Sequence, residues 1–130
     1  MFEDYEIISR YTRKQAFADG YLVDTGPMAR EVGFRCPVAL TASVHANCCA
    51  WPETNRSDLG QCVEGRMWDV LSMARNAAKR NCDSNRTTFT VLRIAPHKQN
   101  AGATPVELVL HIGPGDKGEP VATIMFEDED

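Results

Sequence analysis

Apolar positions recur at helical spacing up to residue 80 and alternate beyond it. The strongest helical stretch is QCVEGRMWDVLSMARNAAKR, residues 61–80. In it, Val63, Met67, Val70, Leu71, Ala74, Ala77 and Ala78 form one stripe, the spacing that lines up side chains on one side of a helix. Arg75, Lys79 and Arg80 crowd its last turns, where cations favour the negative end of the helix dipole. Before it, residues 11–18 read as a short helix, with Thr12 as N-cap and Gly20 as stop. Residues 27–32 read as another, capped by Thr25, opened by Pro27 and ended by Gly33. Tyr-Leu-Val-Asp, 21–24, is a short extended piece between them. A further helix is expected over 38–50, after Pro37, because Leu40, Val44, Cys48 and Trp51 are spaced four, four and three; Pro52 ends it.

After a polar stop at 81–85 the pattern becomes β. Strands are expected over 87–95, rich in β-branched residues, over 105–112, where Val106, Leu108, Leu110 and Ile112 alternate, and over 120–126. Short connections between them predict a three-stranded antiparallel meander. Helices followed by strands predict an α+β fold, with helices 11–18, 27–32, 38–50 and 61–80 packed on one face of the sheet. A chain of 130 residues makes one domain over 1–130.

The connection before the last strand, GPGDKGEP (113–120), contains G-x-G-x-x-G, the glycine spacing of phosphate-binding loops. That reading needs a helix after the loop to hold the phosphate, and a strand follows instead. No Gly-Lys-Ser/Thr is present. The loop therefore reads as a hairpin turn, with glycines free to take positive φ and Asp116 able to bond nearby amides. Gly115, Asp116, Lys117 and Glu119 stay candidates for an exposed contact loop.

Charge adds one feature. The net charge is −4, but seven of the eighteen acids sit at the ends: Glu3, Asp4 and Glu6, then Glu127 to Asp130. Residues 7–126 keep eleven acids against all fourteen bases. Six bases and only Asp83 fall between Arg75 and Lys98. That stretch could contact nucleic acid phosphates, yet Phe89 is its sole aromatic, and stacking platforms need more. A solvated helix end and turn is the preferred reading. Trp68 falls beside the apolar stripe, at the core margin or as an interface anchor.

The N-terminus carries acids and no apolar block, and no run has the length of a membrane helix. A cytoplasmic protein without membrane contact is expected. The five cysteines are odd in number and read as free, mostly buried thiols. His45 and Cys49 are four apart and could share a helical face, but no C-x-x-C pair completes a zinc site, and no catalytic signature surrounds Cys48, Cys49 or any other cysteine. No metal, cofactor or catalytic residue is assigned. A small Cys/His enzyme remains as an alternative.

ADGYLVDTGPMAREVGFRCPVALT (18–41), GRMWDVLSMAR (65–75) and GPGDKGEPVATIM (113–125) resemble a family of small proteins of unknown function carried by bacterial plasmids, phages and other mobile elements. HANCCAWPETN, 45–55, departs from its usual pattern. The resemblance covers nearly the whole chain and implies no site residues. It does imply a setting: a non-enzymatic inhibitor of host defence, of the anti-CRISPR type, that binds a host defence protein complex, with acidic termini steering it toward a basic host surface. A nucleic-acid-binding accessory role through 75–98 is the second expectation, and a homo-oligomer is left open.

Overall fold

A computed structural model describes residues 11–129. Its elements are α1 (Arg13–Ala18), β1 (Leu22–Asp24), α2 (Met28–Val32), β2 (Val38–Thr41), α3 (Ala42–Val44), α4 (Val63–Arg80), β3 (Arg86–Ile94), β4 (Ala103–Pro114) and β5 (Pro120–Met125). A π-helical turn, His45–Cys49, continues α3, and short 3-10 turns span Gln99–Ala101 and Glu127–Glu129. The acidic residues Glu3, Asp4, Glu6 and Asp130 lie outside the described residues.

The strands form one five-stranded sheet in the order β1-β2-β5-β4-β3. The α+β class holds, and β3, β4 and β5 are antiparallel neighbours in chain order. The meander is not the whole sheet, however. β2 joins β5 in parallel, with Leu40 opposite Ile124, and β1 adds an antiparallel edge. The expected helix over 38–50 is therefore corrected: its first four residues are a central strand, and helix begins only at Ala42. Thr41 makes the switch. Its backbone is extended, and its hydroxyl accepts from Val44 N at 3.3 Å as the N-cap. Trp51 lies past the end of the π turn rather than on a helical face.

The core lies between the sheet and α4. Val38 and Leu40 of β2, Ala122 and Ile124 of β5, Leu108 and Leu110 of β4, and Phe89 and Val91 of β3 form one cluster with Met67, Val70, Leu71, Ala74 and Ala77 of α4. Registers explain the cluster: Leu40 pairs with Ile124 and Ile124 with Leu110, so these side chains share a face. α1 corrects the one-face expectation. Arg13 Nη1 donates to Thr123 Oγ1 at 2.7 Å. Thr123 lies between the core-facing Ala122 and Ile124, so α1 docks on the opposite face. No helix among the described residues is long and apolar enough to cross a membrane.

A candidate cationic groove

GPGDKGEP forms the β4–β5 hairpin, as its turn residues predict: Gly115 N donates to Glu119 O at 2.6 Å, and Gly118 takes a φ of 82°. Three of the four candidate contact residues in it are used internally. Asp116 accepts from Arg13 N at 2.7 Å and Lys14 N at 3.0 Å, capping α1 from a distant part of the chain. Glu119 Oε1 accepts from Lys117 N at 3.0 Å. Gly115 is buried, and a Cβ there would collide with the Glu119 carboxylate. Lys117 alone presents an exposed side chain with no partner among the described residues.

The helix candidates have a different fate. Trp68, Arg75 and Lys79 lie seven and four residues apart on α4, close to two turns and one, so they share a face over roughly 16 Å. Trp68 is 42% exposed, large for an indole. At the C-terminal end of this face a groove of about 580 Å³ opens. Arg75, Lys79 and Ala78 form one wall, the Gly33–Cys36 turn after α2 forms the other, and Ile112 and Pro120 come from the sheet. Arg80 is exposed on the last turn and is not part of the lining.

The groove gathers three cations, Arg35, Arg75 and Lys79, around apolar surface. None has a hydrogen bond or ion pair among the described residues, where the ion pair formed is Arg56–Asp58 at the surface, 2.7 Å. Arg75 is nonetheless placed. Its guanidinium lies against Gly33, whose φ of 125° and missing side chain let it approach; a Cβ there would overlap the guanidinium. Cys36 and Cys82 also line the groove, and burial pushes the Cys36 thiol up.

Arg35, Phe34 and Gly33 were not legible as site residues, because the turn that carries them has no periodicity. Arg66 was missed for another reason. It is 5% exposed and sits on the buried side of α4. A base four residues before Val70, on the apolar stripe, was the available signal.

The basic stretch 75–98 is not one surface. Arg75 and Lys79 line the groove, whereas Arg86, Arg93 and Lys98 are not in its lining, and Arg86 and Arg93 lie roughly 23 Å apart along β3. Arg93 is also engaged, donating to Asn47 Oδ1 at 2.7 Å and Thr104 Oγ1 at 2.8 Å. His45 and Cys49 do share the π turn, but Cys49 is wholly buried. Burial, with Cys48 beside it, pushes its thiol from the ordinary 9.0 to about 12. Burial likewise raises the Cys48 thiol. Neither is a ready thiolate. Among the described residues no group of three or more His, Cys, Asp or Glu side chains could hold a metal ion.

Comparison with known proteins gives a family and no activity. No curated protein matches the chain, and no solved structure does. The model of a family of unknown function (DUF6573) matches residues 1–130, and the chain belongs to that family.

Proposed function

We propose that this member of the DUF6573 family is a non-enzymatic binding module that grips an acidic, partly apolar protein surface in the Arg35–Arg75–Lys79 groove. The observation that carries this reading is the gathering of three cations, without ion pairs among the described residues, around Phe34, Ala78 and Ile112. Unpaired cations beside apolar surface match a partner that supplies carboxylates and apolar side chains together. Trp68, exposed on the same face of α4, extends the surface with the residue type most often found at binding hot spots. The partner expected from the mobile-element resemblance is a host defence complex, and the protein would inhibit it by covering one of its surfaces.

Nucleic acid is the second reading. It draws on the same cations, but the groove lining itself offers no exposed ring for base stacking: Phe34 is 8% exposed, and Trp68, the single exposed ring on that helix face, lies outside the lining. Arg86, Arg93 and Lys98 are absent from the groove lining, so the rest of the basic stretch adds no phosphate contact there. A Cys49 nucleophile finds no support in a thiol raised to about 12.

Co-purification tests the reading. Tagged protein from cells carrying defence systems is expected to retain a defined host complex, and Arg35→Glu/Arg75→Glu is expected to lose it. No complex with the natural chain, or equal recovery by the variant, contradicts the proposal.

A further inference from the structure

We propose that a second site, the cavity where Arg66 of α4 and Arg93 of β3 converge, binds a small oxyanion of the phosphate type. The cavity measures about 130 Å³ and is lined by Cys48, Gln61, Arg66, Asp69, Arg93 and the end of β3. One water needs roughly 10–15 Å³ of such space, so a polyatomic ion fits. No lining residue is shared with the cationic groove.

The two guanidiniums meet on Asn47. Arg66 Nη2 donates to Asn47 O at 3.4 Å, and Arg93 Nε donates to Asn47 Oδ1 at 2.7 Å. Arg66 also donates to Cys49 O at 3.1 Å and Gln61 Oε1 at 2.7 Å. Arg93 Nη1 donates to Thr104 O at 3.1 Å and Thr104 Oγ1 at 2.8 Å. Every acceptor is neutral. The contacts of Arg66 have a structural purpose: it caps the carbonyls at the end of the π turn and stacks 5.0 Å from the Trp51 ring. They do not neutralise Arg93, which is held by neutral groups as well, the Cys48 thiol among them. Nor do they offset two like charges held on one asparagine. Asp69 is the single carboxylate in the lining, and it makes no ion pair with either arginine. The cavity is left net positive with N–H donors in fork geometry, the arrangement that matches an oxyanion. The π turn supplies Asn47 to both arginines, and such turns recur at functional sites.

Inorganic phosphate is the probe, added to the full chain against chloride at equal ionic strength. A saturable rise in Tm of about 4–6 °C at tenfold the dissociation constant is expected, absent in Arg93→Gln and kept in Lys79→Gln. Equal Tm in the two salts, or an undiminished rise in Arg93→Gln, overturns the site. Should Arg93→Gln fail to fold, the amide and arginine spectrum of the natural chain decides. Shifts confined to Asn47, Arg66, Arg93 and Thr104 on adding phosphate support the site. Shifts spread over Arg35, Arg75 and Lys79 overturn it. A phosphoserine arm separates the sources: shifts at the same residues place the site on a phosphorylated partner as well as the free ion, and none restricts it to the free ion.

Discussion

Gly33 and Arg75 work as a pair, because the guanidinium occupies the space a side chain would take. Gly33→Ala should cost about 1–2 kcal/mol for a left-handed backbone alone and should also push Arg75 out of the groove wall. Urea unfolding reads the first effect and partner binding the second. Asp116 makes a contrasting case. Asp116→Ala removes the acceptor of two α1 amides and should cost about 0.5–2 kcal/mol, whereas Lys117→Ala on the same loop should stay within about 0.5 kcal/mol. Equal effects would return the loop to a contact role. Cys49 carries a pH signature. Its thiol stays protonated in the folded chain while the unfolded chain ionises near 9.0. Its contribution is therefore intact below pH 9 and declines as pH climbs from 9.0 toward about 12. Urea midpoints across that range should fall, and a flat profile would contradict the burial. At pH 8, a thiol reagent should label the exposed Cys62 and Cys82 and spare Cys48 and Cys49.

At the scale of elements, legibility follows from how many faces each one buries. α4 was legible over 61–80 and runs Val63–Arg80, because one buried side and one wet side print a clean stripe. β4 and β5 were legible for similar reasons, with turn residues between them. β2 was not. Val38, Ala39 and Leu40 are all buried, as in a central strand covered on both faces, so no alternation marks them. Leu40 then aligned by chance with Val44 and Cys48 at helical spacing. α1 was legible as a helix over 11–18 with Thr12 as its cap, but its place on the far face was not, since Arg13 and Asp116 meet across 103 residues. Leu71 tests the packing at this scale. It is fully buried between α4 and the sheet, and Leu71→Ala should cost about 2–5 kcal/mol by urea unfolding.

For the whole molecule, the distribution of charge outweighs its sum. A net −4 conceals a groove where three cations face solvent without ion pairs among the described residues. Arg75 and Lys79 were legible as candidates because they end a strong helix. Their partner Arg35 was not, because only folding brings the turn after α2 beside α4. The central claim is that this groove holds an acidic, apolar protein surface rather than a phosphate backbone. Fluorescence anisotropy tests it directly, with a labelled acidic peptide carrying tryptophan and leucine set against a single-stranded oligonucleotide of equal charge. The peptide is predicted to bind roughly tenfold tighter, about 1.4 kcal/mol, and Arg75→Glu/Lys79→Glu is predicted to abolish the difference. An oligonucleotide that binds as tightly as the peptide, or a charge reversal that changes neither affinity, would contradict it.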